Sequence, residues 1–86
     1  MKLIQKRING FFIQGPGKTI LAEISFKRPE HGKIVIDHTF VDESLSGQGI
    51  GKQLVREIIE LGRAEGCIIE ATCSFAKRIL EKTVFD

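Results

Sequence analysis

The residues in this chain that are best suited to chemistry form a glycine-rich segment, Ser46-Gly47-Gln48-Gly49-Ile50-Gly51. Alternate glycines allow a tight turn, and their missing side chains let a ligand touch the backbone. The apolar pattern that follows predicts a helix, whose first N–H groups have no partner within the helix and whose dipole favours negative charge. The segment therefore predicts a cradle for phosphate groups.

Two familiar phosphate-binding motifs do not fit this spacing. A P-loop requires GxxxxGK[ST], but Gly51-Lys52 is followed by Gln53, and Ser46 occupies the position of the first glycine. A dinucleotide fingerprint requires GxGxxG inside a βαβ unit, whereas the glycines here are spaced GxGxG after strands that read as antiparallel. A plain strand-to-helix turn is the alternative interpretation, because short glycine-rich loops are common.

The part of the chain before this segment reads as strands joined by short turns. Apolar residues recur with period two in Thr19–Phe26 and Lys33–Val41, while Leu3–Ile8 and Phe11–Gln14 form a kinked strand or a short hairpin. Such short connections favour an antiparallel meander. Strict alternation in Lys33–Val41 predicts one face made of Ile34, Ile36, His38 and Phe40.

After the segment the apolar period changes to 3.6, which predicts an amphipathic helix over residues 50–65 that ends at Gly66. Cys67–Thr72 then reads as a buried strand. Because this strand returns after a helical crossover, we expect it to lie parallel to Lys33–Val41.

A second helix is predicted over Ser74–Lys82, with a buried stripe made of Phe75, Ala76, Ile79 and Leu80. The order β-β-β-α-β-α predicts the α+β class, in which a mostly antiparallel sheet is covered by helices. The 86 residues suffice for one small domain, so residues 1–86 are expected to form a single unit.

Composition limits the classes of function. The chain is 42% hydrophobic and 28% charged, which is typical of a globular protein, and its net charge of +2 without basic-aromatic clusters disfavours a nucleic-acid-binding domain. No apolar run is long enough for a membrane span. Cys67 and Cys73 form no metal-ligand pattern, so we expect no metal and a reduced, cytoplasmic setting.

From about Ala22 to its end, the chain resembles the GNAT superfamily, and within it the small single-domain N-acetyltransferase-like proteins. Two stretches carry this resemblance: residues 38–52, which contain the glycine-rich segment, and residues 71–82. The family's pyrophosphate loop reads Arg or Gln, two residues, Gly, one residue, then Gly or Ala. Gly49 and Gly51 fit this pattern, with Ser46 at its first position.

The resemblance implies that acetyl-CoA binds as cosubstrate between two splayed parallel strands, here Lys33–Val41 and Cys67–Thr72. Backbone N–H groups near the end of the first strand would meet the pantetheine amides, and the glycine-rich segment would hold the pyrophosphate. The implied cofactor-binding residues are Phe40, Val41, Gly47, Gln48, Gly49, Ile50, Gly51 and Lys52.

The chain departs from larger members of the family after its last strand. Those proteins often carry Asn-x-x-Ala-x-x-x-Tyr, where the Tyr commonly protonates the leaving thiolate. Here Cys73 stands at the Asn position, Ala76 matches, and Leu80 stands at the Tyr position. The chain contains no tyrosine, so the usual general acid is missing. The helices that shape the acceptor site in larger members are also missing, which implies an open acceptor groove.

Cys73 and His38 are the candidate catalytic residues. Cys73, at a predicted helix N-terminus, is either an acid or nucleophile of lowered pKa or a small buried hydrophobic residue. His38 is either a general base, a role for which imidazole is suited at neutral pH, or a strand histidine with a satisfied hydrogen bond.

Two functions follow from the resemblance: an acetyl-CoA-dependent N-acetyltransferase with an unidentified amine acceptor, on a small molecule or a protein, or an acetyl-CoA-binding sensor or interaction module without efficient catalysis. Neither nucleic acid nor membrane is an expected partner, and the oligomeric state is unknown.

Overall fold

A computed structural model describes residues 3–82. These residues form a five-stranded sheet of spatial order β1-β2-β3-β4-β5, with two helices packed on one face. The elements are β1 (Gln5–Arg7), β2 (Gly10–Gln14), β3 (Ile20–Lys27), β4 (Lys33–Val41), α1 (Ile50–Glu65), β5 (Ile68–Ala71) and α2 (Ser74–Lys82). The α+β class is confirmed. Because the first predicted segment is a hairpin rather than a kinked strand, four strands precede α1 instead of three.

The core lies between the sheet and α1, where two apolar patterns meet. On β3, Ala22 and Ile24 are fully buried on the face that period two predicted. On α1, Leu54, Val55 and Ile58 recur at helical spacing and are also fully buried. Burial of a large aliphatic side chain stabilises the fold by about 1.5–3 kcal/mol, so this contact fixes α1 against the sheet.

A β-bulge interrupts β4. The register pairs Phe26 of β3 with Ile36, but it pairs Ser25 with His38, so Asp37 is an extra residue on β4. The Asp37 carboxylate accepts a hydrogen bond of 2.8 Å from the Ser25 hydroxyl. Because side chains alternate between faces, one inserted residue reverses the faces of everything that follows it.

This reversal corrects the predicted faces of β4. Ile34 and Ile36, before the bulge, share one face as predicted, and both are fully buried under the helices. After the bulge, Thr39 and Val41 pair with inward-facing residues of β3 and take the helix-covered face. His38 and Phe40 lie on the outer face instead and are exposed. Strict alternation failed because the bulge arises from pairing with β3, which a single strand does not reveal.

β4 and β5 are paired in parallel, as predicted, but only over a short stretch. The paired residues are Lys33–Ile36 and Ile68–Ala71. The Ile36 carbonyl closes this ladder by accepting hydrogen bonds from the amides of Thr72 at 2.9 Å and Cys73 at 3.5 Å. Beyond it, residues 37–41 of β4 have no strand partner on that side within the described part of the chain, so a gap opens.

The prediction of a buried last strand was wrong. β5 spans four residues at the edge of the sheet, and the Ile68 side chain is 65% exposed. Its inward-facing Ile69 packs over Gly62 of α1, where a Cβ atom would come within 2.5 Å of Ile69 Cδ1. Only the inward face of β5 is therefore covered.

Both predicted helices are confirmed with their bounds. Gly66 ends α1 in the left-handed conformation (φ 69°), and its N–H donates to the carbonyls of Arg63 and Gly62. Within residues 3–82, neither helix is long and apolar enough to cross a membrane.

Candidate functional site

A cleft of about 590 Å³ lies where the end of β4, the glycine-rich segment and α2 meet. This volume is in the usual range for a small-molecule site. The cleft is lined by Val41, Asp42, Glu43, Leu45, Ser46, Gly47, Gly49, Ile50, Gly51, Lys52, Phe75, Ile79 and Lys82.

A short 3₁₀ turn, Glu43–Leu45, leads from β4 into the cleft. The Asp42 carboxylate caps this turn by accepting hydrogen bonds from the Ser44 hydroxyl at 2.6 Å and the Ser44 amide at 3.0 Å. These two bonds hold the pKa of Asp42 below its usual value. With Leu45 buried beneath it, the turn is held in place by the chain itself.

The glycine-rich segment uses its glycines for backbone conformation. Gly47 and Gly49 have φ angles of 79° and 71°, and no described residue has an atom within 4 Å of where their Cβ atoms would be. These residues are therefore glycine because of the left-handed backbone, which other residues adopt at a cost, and not because of crowding.

The N-terminus of α1 presents free amides to the cleft. The first helical hydrogen bond runs from the Gln53 amide to the Gly49 carbonyl at 3.1 Å, and no side chain among residues 3–82 caps the helix. The amides of Ile50, Gly51 and Lys52 precede that bond, and all three residues line the cleft. Free amides at the positive end of a helix dipole form a cradle for an anion.

Gly51 serves a different purpose from the other glycines. A Cβ atom there would lie 2.4 Å from Cζ of Phe75, so the missing side chain lets the Phe75 ring pack against the start of α1. The ring is 45% exposed and forms part of the cleft wall. The predicted buried stripe of α2 is thus corrected at Phe75, whereas Ala76 is fully buried as expected.

Cys73 lies at the start of α2, beside the gap between β4 and β5. Its carbonyl accepts from the Lys77 amide at 2.9 Å, and its Sγ lies 3.6 Å from Oγ1 of Thr39. Burial alone raises the pKa of the Cys73 thiol, but the amides of Ala76, Phe75 and Thr39 and the Thr39 hydroxyl stabilise the thiolate. Together these donors hold the pKa of Cys73 below its usual value.

The structure brings together most of the residues that the sequence singled out for cofactor binding. Those that line the cleft are Val41, Gly47, Gly49, Ile50, Gly51 and Lys52. Phe40 and Gln48 are not among the lining residues, and neither are the two candidate catalytic residues, Cys73 and His38.

The backbone polar groups of Phe40 and Val41 point to opposite sides of β4. The Asp42 amide donates to the Leu21 carbonyl of β3 at 2.7 Å. Because the bonds of an antiparallel ladder alternate, the N–H and C=O groups of Phe40 also point to β3, whereas those of Val41 point to the gap. A ligand in the gap therefore meets the backbone of Val41 rather than that of Phe40.

Sequence reasoning missed the contribution of α2 to the cleft. Phe75, Ile79 and Lys82 line it, and their spacing of four and three residues is that of a single helix face. That spacing is visible in the sequence. Leu80, at the position of the family's tyrosine, lines a separate surface depression. Within residues 3–82, no group of three or more His, Cys, Asp or Glu side chains is arranged to hold a metal ion.

Comparison with protein families gives a match over most of the chain. The model described as "GCN5-related N-acetyl-transferase" matches residues 10–84. The solution structure of a GCN5-like protein from Staphylococcus aureus is 41% identical, with a TM-score of 0.79, and the match covers 93% of this chain and 78% of that one. No functionally curated protein matches the chain significantly in sequence.

Two longer proteins share the architecture. An acetyltransferase from Bacillus cereus is 25% identical with a TM-score of 0.67, and the match covers 85% of this chain and 53% of that one. Ard1 from Thermoplasma volcanium is 18% identical with a TM-score of 0.66, covering 86% of this chain and 53% of that one, a likeness of fold alone. The chain thus spans about half the length of each.

Proposed function

Because the chain belongs to the GCN5-related N-acetyltransferase family, we propose that it transfers an acetyl group from acetyl-CoA to an amine. One observation carries this proposal. A single cleft contains the anion cradle at the start of α1 and borders the gap between β4 and β5, where Cys73 lies. In acetyl-CoA the diphosphate suits the anion cradle, and the thioester, toward the other end of the molecule, suits the gap.

The residues of the cleft fit acetyl-CoA along its length. The free amides of Ile50, Gly51 and Lys52 suit the diphosphate, and the Lys52 side chain adds positive charge. The backbone of Val41, turned toward the gap, can pair with the amides of the pantetheine arm as a neighbouring strand would. The Phe75 ring supplies an apolar wall between these two regions.

Acetyl transfer requires the amine nitrogen to bond to the carbonyl carbon while the carbon–sulfur bond breaks. The amine loses a proton, and the departing thiolate gains one. In our proposal His38, exposed on the outer face of the sheet, accepts the proton of the amine. Cys73 donates a proton to the departing thiolate and regains one from solvent. Because the pKa of Cys73 lies below that of an ordinary thiol, this donation is favourable.

We place the reaction in the cytoplasm, where the free thiols of this chain would persist.

The alternative is an acetyl-CoA-binding module without efficient catalysis. The chain has no tyrosine, and Leu80 lies outside the cleft, so the family's usual acid is absent. His38 has no hydrogen-bond partner among the described residues that would orient its ring for catalysis. A bound thioester could then serve as a signal rather than a substrate.

Two measurements on the same protein separate these functions. Titration calorimetry with acetyl-CoA tests binding, and mass spectrometry after incubation with a panel of small amines and lysine peptides tests transfer. We expect binding together with acetylation of at least one amine. Binding without any product would establish the module, and absence of binding would overturn both functions.

A further inference from the structure

A second, smaller groove continues from the cleft along the exposed side of α1. It has a volume of about 130 Å³ and lies between α1 and α2. Its lining residues are Lys52, Arg56, Ile59, Glu60, Arg63 and Ile79. Lys52 and Ile79 also line the cleft, so the two depressions adjoin.

The groove carries an excess of positive charge. Three of its lining residues are cationic and one, Glu60, is acidic. Glu60 is already engaged by Arg63, with Nη1 and Oε1 3.5 Å apart. The ion pairs found among residues 3–82 involve neither Lys52 nor Arg56. Within that range, neither of these two cations is therefore paired with a carboxylate.

The position of Arg56 relates the groove to the anion cradle. Lys52 contributes its amide to the cradle, and Arg56 follows it by one turn on the same face of α1, about 6 Å along the helix axis. An anion held at Arg56 would thus lie one helical turn from an anion held by the amides. The apolar side chains of Ile59 and Ile79 line the same groove.

We infer that this groove binds the 3′-phosphate of coenzyme A and so makes the protein selective for the 3′-phosphorylated cofactor. In coenzyme A, a single ribose separates this phosphate from the diphosphate. In the structure, the groove likewise adjoins the cleft that contains the anion cradle. A guanidinium is well suited to such a phosphate, because it donates paired hydrogen bonds as well as charge. The inference rests on the proposed function, since it takes the diphosphate to lie in the cradle.

The test compares the affinities of acetyl-CoA and acetyl-3′-dephospho-CoA by titration calorimetry at low ionic strength. The wild-type protein should bind acetyl-CoA at least about tenfold more tightly, the equivalent of one charge-assisted contact. Arg56→Gln should lose most of that ratio by weakening acetyl-CoA alone, and Arg56→Lys should keep part of it. Because the ratio compares two ligands on one protein, a general loss of folded protein does not change it.

Arg78→Gln is the matched control, because Arg78 is an exposed arginine of α2 that lines neither depression. It should leave the ratio unchanged. Equal affinity of the wild-type protein for the two ligands would overturn this inference and leave the proposed function standing. An equal loss in Arg56→Gln and Arg78→Gln would also overturn it. Absence of binding to either ligand would overturn both the inference and the proposed function.

Discussion

Two helix N-termini lie at or beside the cleft, and the chain uses them differently. At the start of α1 the amides of Ile50, Gly51 and Lys52 have no side-chain cap within the described part of the chain. At the start of α2 the amides of Phe75 and Ala76 instead help to hold the pKa of the Cys73 thiol below its usual value. The first N–H groups of a helix thus offer a binding site at the start of α1 and stabilise a thiolate at the start of α2.

The difference between the two helix N-termini explains which departures from the family pattern matter. A cradle made of backbone amides depends little on the side chains around it, so serine at position 46 is compatible with phosphate binding. The start of α2, by contrast, depends on the single sulfur atom of Cys73 and on the hydrogen-bond donors around it. We therefore expect substitutions of side chains to affect catalysis most at Cys73, and substitutions of glycine to affect binding most at the cradle.

Replacement of Cys73 should have the largest effect. In Cys73→Ala the rate of acetyl transfer should fall by about 10²–10⁴-fold, the usual contribution of a proton-transfer group, while the affinity for acetyl-CoA changes little. Steady-state kinetics and calorimetry measure the two quantities. Cys67→Ala is the control, since its thiol lies near Glu65 and Arg28, away from the cleft. Unchanged transfer in Cys73→Ala would remove any chemical role for the thiol.

The contact between Gly51 and Phe75 joins the two helix N-termini and gives the next prediction. Gly51→Ala should lower the free energy of unfolding by about 1 kcal/mol, because the new methyl group displaces the far end of the half-exposed Phe75 ring. Urea denaturation measures this change. In the double variant with Phe75→Ala the overlap is gone, so the cost of the alanine should largely disappear. Additive effects of the two substitutions would contradict this packing.

Gly49 and Gly66 flank α1 and provide a matched pair. Both are left-handed with open space where a Cβ atom would be, so alanine at either position should cost about 1–2 kcal/mol of stability. Gly49→Ala should also weaken acetyl-CoA binding several-fold, because it disturbs the cradle, whereas Gly66→Ala should not. Thermal unfolding and calorimetry on both variants decide this. Equal binding losses would show that the cradle has no special role.

The smallest expected effect is a change in the pKa of the Cys73 thiol when one of its hydrogen-bond donors is removed. Its lowered pKa means that the reactive thiolate persists to a lower pH than in a free cysteine and is lost as the pH falls through that pKa. Thr39→Val removes one donor at nearly constant shape, so the pKa should rise and the thiolate should be lost at a higher pH. The rate of alkylation by iodoacetamide against pH, in a Cys67→Ala background, measures the shift. A downward shift would contradict the assigned contacts.

Local signals were sufficient for much of the architecture. The bounds of both helices, the end of α1 at Gly66 and the parallel return of β5 followed from periodicity, glycine and the crossover rule. The faces of β4 could not be predicted in this way. The bulge at Asp37 depends on how β4 meets β3, and it moved His38 to the outer face.

By itself, the sequence determined the parts of the site that are made of consecutive residues. The glycine-rich segment and the start of α1 lie side by side in the chain, so their amides are together wherever the helix forms. Packing between distant parts of the chain decided the rest: that Phe75 packs on Gly51, that Thr39 reaches Cys73, and that Arg56 and Ile79 line the same groove. These contacts join residues far apart in the chain, and their geometry is set by how α1 and α2 pack on the sheet.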